Sequence, residues 1–322
     1  QQKNARVYRL AYVVTHPIQY QSPMLRLLSD DPRVELEVFF LSDFSLLNYV
    51  DAEFGVNVDW GIPLTEGFSS QFVKSTFQQT EVSFFNPRPS ITDLYRRLNA
   101  QKWDAIWVNG YANTGLLAAL LYARFKKIPM LIRNDSNPYN KPASWKKNFI
   151  NRWLVRNAHG LLYCGSANKQ HYLGYGAQAN QLFSVPFAVD NVFFQSAPRQ
   201  KTEITTLREE QDIVFLFAAK MTQRKNARLL MQAYAQLPTD LRGQARIVFI
   251  GDGPDRESME LEAQALDLSN RVHFLGFKNQ MELPSYYFDC DVFVLPSANE
   301  PFAVAVNEAM NAGKPLILAD EV

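Results

Sequence analysis

The chain has 322 residues, 47% of them hydrophobic and 20% charged, a profile that excludes a disordered protein and suits a globular one with a substantial core. Thirty-three Lys and Arg against 32 Asp and Glu leave a net charge of +1, which argues against a general nucleic-acid binder and makes any anion site a local feature. The two cysteines, Cys164 and Cys290, offer neither a disulfide framework nor metal-ligand spacing and fit a reducing compartment. No apolar run approaches the ~20 residues that span a bilayer, and the length suits two α/β domains. The chain begins at Gln1, compatible with a trimmed leader.

The first expected strand runs from Val7 to Val14 and ends at Thr15-His16-Pro17, where proline stops it. A helix follows from Ser22, with Met24, Leu25, Leu27 and Leu28 on one side. A second strand spans Val34 to Leu41, with Glu35 and Glu37 alternating against apolar neighbours. Residues 42–80 are aromatic, turn-rich and without a period; they read as an insertion forming a lid or an acceptor surface. Then helices (Ile91–Ala100, Thr114–Phe125, Ser144–Asn157) alternate with strands (Ala105–Asn109, Pro129–Arg133, Gly160–Cys164). This rhythm predicts a parallel sheet covered on both faces.

The pattern breaks between Pro186 and Gln200, which marks a linker. Domains are therefore expected at residues 1–188 and 189–322. In the second, strands are expected at Ile213–Ala219, Ala245–Ile250, Val272–Leu275, Val292–Leu295 and Pro315–Leu318. Two doubly wound domains would leave a cleft at the carboxyl ends of their strands, where such sheets bind ligands.

Three runs in the second half carry chemistry. In the first, Phe217 to Asn226, Lys220 and Lys225 sit five residues apart on a strand-to-helix loop, where two cations can neutralise a diphosphate. The second, Ile250-Gly251-Asp252-Gly253-Pro254, is a glycine turn that lets backbone approach a ligand, with a helix expected from about Asp255. The third, Ser297 to Glu308, places Pro301 at the expected start of a helix and Glu308 about two turns into it. Glu300 and Glu308 offer acceptors for sugar and ribose hydroxyls, and the free N–H groups of the helix start favour phosphate.

These residues resemble the retaining GT-B glycosyltransferases of family 4, also called group 1. Glu300 and Glu308 match the motif of Glu, seven residues, Glu, and Lys220 and Lys225 match the basic pair. Gly251 to Pro254, Phe274-Leu275-Gly276-Phe277, the strand after Asp291 and Glu308-Ala309-Met310 follow the family. The run Val185-Pro186-Phe187-Ala188-Val189-Asp190 resembles its linker. His16 to Tyr20, Asp51-x-x-Phe54-Gly55 and Arg133 to Ser136 are similar to one bacterial branch of it.

The resemblance implies a GT-B fold: two doubly wound Rossmann-like domains facing across a cleft. It implies Glu300 at the transferred sugar and Glu308 at the ribose, with Lys220 and Lys225 on the diphosphate of a UDP- or GDP-sugar. Gly251, Gly253, Phe277, Pro301, Phe302, Ala303 and Val304 would complete the donor site. No metal and no cofactor are implied, and the acceptor would be a glycan or a lipid-linked saccharide. His16 is the first-domain catalytic candidate; Asn109, Tyr111, Arg133 and Asp135 are acceptor-side candidates. The expected location is the cytoplasm, peripheral at the inner face of a membrane. The chain departs from the family in His16-Pro17-Ile18-Gln19, where many members are glycine-rich. It also stops before the family's last helices, so a C-terminally truncated second domain is expected. The competing readings are a GT-B sugar-nucleotide epimerase, which needs first-domain carboxylates and histidines where only four His occur in the chain, and a non-catalytic nucleotide-sugar binder. A dinucleotide oxidoreductase fits less well, because no Gly-x-Gly-x-x-Gly follows either first strand.

Overall fold

The computed structural model describes residues 6–47, 49–51, 55–77, 82–138, 144–320 and 322. The chain divides into two compact units, residues 1–48 with 63–187, and residues 49–62 with 188–322. The division falls at Phe187/Ala188. Residues 49–62, read from sequence as part of a first-domain insertion, count with the second unit.

The first unit is built on a seven-stranded parallel sheet. From one edge its strands are Leu182–Ser184, Gly160–Tyr163, Met130–Arg133, Ala105–Asn109, Tyr8–Val14, Val34–Phe40 and Ser70–Phe72. Side chains of a strand alternate between faces, and both faces here are apolar. Ala11, Val13, Phe39 and Leu41 enter one core with Leu116, Leu120 and Leu154 from the helices. Tyr12, Val14, Val38 and Phe40 enter the other with Leu25. Burying both faces explains why these strands read as nearly continuous apolar runs.

Helices cover the sheet at Ser22–Asp30, Ile91–Leu98, Thr114–Lys126, Trp145–Asn157 and Ser166–Gly174. Their starts are local chemistry. Ser90 Oγ accepts from Asp93 N at 3.2 Å, and Asn113 Oδ1 accepts from Gly115 N at 2.8 Å, each satisfying a donor that the first helical turn leaves open. The strand Ser70–Phe72 lies inside the segment expected to lack a period. It extends the sheet edge in register Val38↔Ser70, and three residues are too few to show alternation. The edge strand Leu182–Ser184 is equally short.

The second unit has a five-stranded parallel sheet in the order Val272–Phe274, Ala245–Ile250, Ile213–Ala218, Val292–Leu295, Leu316–Leu318. All five expected strands are present. Its core gathers Leu216, Phe217, Val248, Phe249, Phe293 and Leu295 with Met231, Met259, Tyr287 and Ala309 from the helices. The stretch read as a linker contains a helix, Asn191–Ser196, whose N-cap Asp190 accepts from Phe193 N at 2.9 Å. Both cysteines are free and buried. Among the described residues no helix is long and apolar enough to cross a membrane.

Both sheets reverse direction of winding beside their first strand. In the first, Tyr8–Val14 lies between Ala105–Asn109 and Val34–Phe40; in the second, Ile213–Ala218 lies between Val292–Leu295 and Ala245–Ile250. Loops leaving the carboxyl ends of strands at such a point diverge and leave a crevice.

Candidate functional site

In the second unit, the two loops flanking the switch point carry the candidate residues. The loop after Ile213–Ala218 holds Lys220, Arg224 and Lys225 and turns into the helix Ala227–Ala235 through Asn226, at φ 54°. The loop after Val292–Leu295 holds Asn299, also at φ 54°, and Glu300. Ala298 N donates to Arg224 O at 2.9 Å, stitching the two loops together.

Side chains complete the stitch. The Glu300 carboxylate is only 4% exposed; Lys225 Nζ donates to its Oε2, and Arg224 Nη1 donates to its Oε1 at 3.1 Å. Lys220 is held differently. Its Nζ lies 3.0 and 3.2 Å from the two oxygens of Asp51, which arrives on the 49–62 segment. That segment is seated on the loop after Val272–Phe274. Gln280 N donates to Trp60 O at 3.1 Å, and the Trp60 ring meets Phe277 edge-on at 6.0 Å.

The glycine turn has a packing role of its own. Gly251 and Gly253 have φ of 117° and 151°, and a Cβ on them would lie 2.1 Å from Ala219 O and 2.5 Å from Met221 O. The missing side chains make room for neighbouring backbone of the Lys220 loop. Met221 N donates to Asp252 O at 2.8 Å, and Asp255 N to Met221 O at 3.1 Å. The glycines thus hold the lysine loop in place. Asp252 is tied to Arg256 at 2.6 Å in the first turn of the helix Arg256–Ala265.

The helix after Glu300 begins at Val304, later than expected, and runs to Asn311. Pro301 and Phe302 precede it, Ala303 is its N-cap, and Glu308 stands about one turn in rather than two. Glu308 is 6% exposed. Tyr287 Oη donates to its Oε2 at 2.7 Å, and Gln280 Nε2 to its Oε1 at 3.4 Å. Burial raises the Glu308 carboxyl above its ordinary value against the opposing pull of these two donors. Gln280 therefore joins the Glu308 carboxylate to the loop on which Trp60 rests.

In the first unit, a 790 Å³ pocket opens at the carboxyl ends of the strands at the switch point. Thr15, Asn109, Gly110, Tyr111 and Asp135 line it, together with Lys146, Lys147 and Ile150 of the helix Trp145–Asn157. Tyr111 is fixed by Asn134 Nδ2, which donates to its Oη at 2.7 Å. The His16 ring packs tilted against Phe44 at 4.4 Å between centroids, with Nδ1 2.9 Å from Thr15 Oγ1. Arg133 turns elsewhere. Its guanidinium is 1% exposed, lies 4.1 Å from the Phe187 ring centroid, and donates to Val185 O at 3.1 Å. Arg133 is thereby pinned to the run Val185–Phe187 and is not among the residues that line the pocket, whereas Asp135 is. Phe54 of the Asp51-x-x-Phe54-Gly55 run lies outside the described residues.

Residues 199–322 match the family of the glycosyl transferases group 1. That span contains Lys220, Lys225, Glu300 and Glu308. The 2-deoxystreptamine glucosyltransferase of Streptomyces kanamyceticus is 29% identical over 171 residues, 52% of this chain and 44% of that protein. The UDP-Gal:alpha-D-GlcNAc-diphosphoundecaprenol alpha-1,3-galactosyltransferase of Escherichia coli is 23% identical over 313 residues, 92% of this chain and 78% of that protein. The chain spans only 28% to 44% of the length of the first three curated relatives. Among solved structures, Anabaena HepE in complex with UDP and glucose superposes with a TM-score of 0.70 at 18% identity, covering 97% of this chain and 81% of that one. The fold is GT-B.

Arg224, Asp51, Gln280 and Tyr287 belong to the site by contact and were not singled out from sequence. Arg224 lay within the basic run and Asp51 within a family-like run, so both carried a weak signal. Nothing in the spacing of Gln280 or Tyr287 announces their bond to Glu308. Among the described residues no cluster of three or more His, Cys, Asp or Glu could hold a metal ion.

Proposed function

We propose that the chain is a retaining hexosyltransferase of the family 4 type, taking a hexose from a UDP- or GDP-sugar to a glycan or lipid-linked acceptor. The observation that carries this reading is the meeting of Lys225, Arg224 and Glu300 at the switch point of the second sheet, with Lys220 on the same loop. Cations and a carboxylate placed together suit a ligand that is anionic at one end and hydroxylated at the other. The group 1 match over residues 199–322 supports the same assignment.

In this mechanism Lys220 and Lys225 exchange their carboxylate partners for the diphosphate, aided by the N–H groups of Val304 and Ala305 at the helix start. Charge builds on the leaving phosphate oxygen as the bond from sugar C1 to that oxygen breaks, and fixed cations stabilise it without reorganisation. Released from Lys225, Glu300 accepts hydrogen bonds from the sugar hydroxyls. The acceptor hydroxyl forms its bond to C1 on the face the phosphate leaves, and its proton passes to the departing phosphate oxygen. Configuration is thereby retained. Glu308 holds the ribose hydroxyls, and the chemistry requires no metal or cofactor. The first-unit pocket, with Asp135, Asn109, Tyr111 and His16 nearby, receives the acceptor.

A panel of nucleoside diphosphate sugars tests this. One hexose donor on UDP or GDP should raise the melting temperature, by mass action about 2.7 kcal/mol of stabilisation at a hundredfold excess over Kd. The product formed with that donor should keep the donor's anomeric configuration by NMR. No stabilisation by any member of the panel, or an inverted product, sinks the reading.

A further inference from the structure

The helix Trp145–Asn157, WKKNFINRWLVRN, stands apart from the other helices of its unit in what it shows to solvent. Its buried side is Asn151, Leu154 and Val155. Trp145, Phe149 and Trp153 recur every four residues and so form one stripe along the helix. They are 76%, 71% and 36% exposed. Three large aromatics left in water on one stripe are costly unless something covers them.

The charge on this helix indicates what that is. Lys146, Lys147, Arg152 and Arg156 are exposed, and none of its 13 residues is acidic. In a chain with net charge +1, this is a local segregation of cations. A second copy of the chain seated on the stripe would set these cations against their own counterparts, which is repulsive. An anionic bilayer surface complements both features: aromatic rings settle at the level of the head groups while Lys and Arg meet lipid phosphates. Lys146 Nζ lies 5.6 Å over the Trp145 ring, so charge and ring already share one end of the helix.

We propose that the exposed face of Trp145–Asn157 docks on an anionic lipid surface. Lys146, Lys147 and Ile150 of this helix also line the 790 Å³ pocket. Docking therefore holds the pocket beside the head groups, where the saccharide of a lipid-linked acceptor sits. This last step rests on the transfer reading; the docking does not.

Vesicle binding read without donor or acceptor separates the two. The chain should sediment with phosphatidylcholine vesicles containing phosphatidylglycerol, bind pure phosphatidylcholine far more weakly, and lose affinity as salt is raised. Brominated acyl chains should quench its tryptophan fluorescence through Trp145 and Trp153. W145A/F149A/W153A should lower binding at least about tenfold, and K146E/R152E/R156E should lower it roughly fivefold for each cation removed. All six positions are on the solvent side, so circular dichroism should be unchanged. Failure of the natural chain to bind anionic vesicles overturns the proposal, as does binding that neither variant weakens. Lipid-free dimerisation abolished by the aromatic variant overturns it in favour of self-association.

Discussion

Asp51 holds Lys220 by both carboxylate oxygens, at 3.0 and 3.2 Å, across 169 residues of chain. The lysine that matches the first member of the basic pair therefore already has an anionic partner, and a diphosphate must share or displace it. Glu300 stands in the same relation to Lys225. The two lysines of the site are thus neutralised from within the chain, which lowers the cost of keeping them close together.

This arrangement makes Asp51 a competitor of the donor phosphates. Both partners of the pair are partly exposed, so the pair is worth at most about 1 kcal/mol. Asp51→Asn should tighten UDP binding by roughly two- to fivefold in a calorimetric titration, with uridine unaffected. Unchanged or weaker UDP binding would show that Asp51 does not compete.

Lys225 has two roles that a pair of substitutions separates. Lys225→Ala should weaken UDP about 10- to 150-fold, the span of one charge-assisted contact, and barely alter uridine. It should also destabilise the fold, because the nearly buried Glu300 keeps only Arg224. Adding Glu300→Gln should recover part of the lost melting temperature, since the amide needs no counter-charge, while UDP affinity stays low. Glu300→Gln alone should cost about two to three decades in turnover if the carboxylate acts on the developing charge at C1. A double variant no more stable than Lys225→Ala would break the assigned coupling.

Gly251 is a stability position. At φ 117°, with Ala219 O where a Cβ would stand, alanine must both strain the backbone and push the lysine loop away. Gly251→Ala should cost at least about 2–3 kcal/mol, or roughly 4–12 °C in the melting of the second unit. Gly243, with nothing within 4 Å of its Cβ position, is the control. Equal tolerance of alanine at the two sites would refute this account.

The parts of the fold legible in sequence are those where physics acts locally. Long apolar strands such as Ala245–Ile250 showed themselves because both faces are buried. The helix starts at Ser90 and Asn113 follow from short polar caps. Ser70–Phe72 escaped because three residues carry no period, and its place is fixed by tertiary contacts: pairing with the edge of Val34–Phe40 and the stacking of Phe72 on Phe40. Within the site, Lys220, Lys225, Glu300 and Glu308 could be read because loop ends beside a helix are marked by residue type. Their partners could not. Asp51, Gln280 and Tyr287 are brought in by tertiary packing, and an acid, an amide and a phenol at those positions look like any others. Arg133 reads from sequence as an acceptor-side candidate at a strand end, and only the fold brings Phe187 and Val185 to it.

Glu308 sets stability against binding, and one substitution exposes both. Burial is the largest influence on its carboxyl and raises it; the Tyr287 hydroxyl and Gln280 amide lower it by less. A carboxyl raised in the folded state favours folding in its protonated form. Its contribution is fully present below the unfolded value of about 4.3 and is lost as pH rises through the higher folded value. Above that folded value the natural chain carries the cost of a buried anion relieved by two hydrogen bonds. Glu308→Gln keeps an oxygen to accept from Tyr287 and has no charge to bury. Relative to the natural chain, the variant should gain stability as pH rises from the ordinary carboxyl range toward neutrality, and gain little in acid. If Glu308 also holds the ribose, the same variant should raise the apparent donor constant with a smaller loss of turnover, because that contact is alike in ground and transition states. Melting curves across the pH range and donor titrations on one protein test the two halves together. A stability difference that shrinks with rising pH would mean that the two donors outweigh burial, and unchanged donor affinity would remove Glu308 from the ribose site.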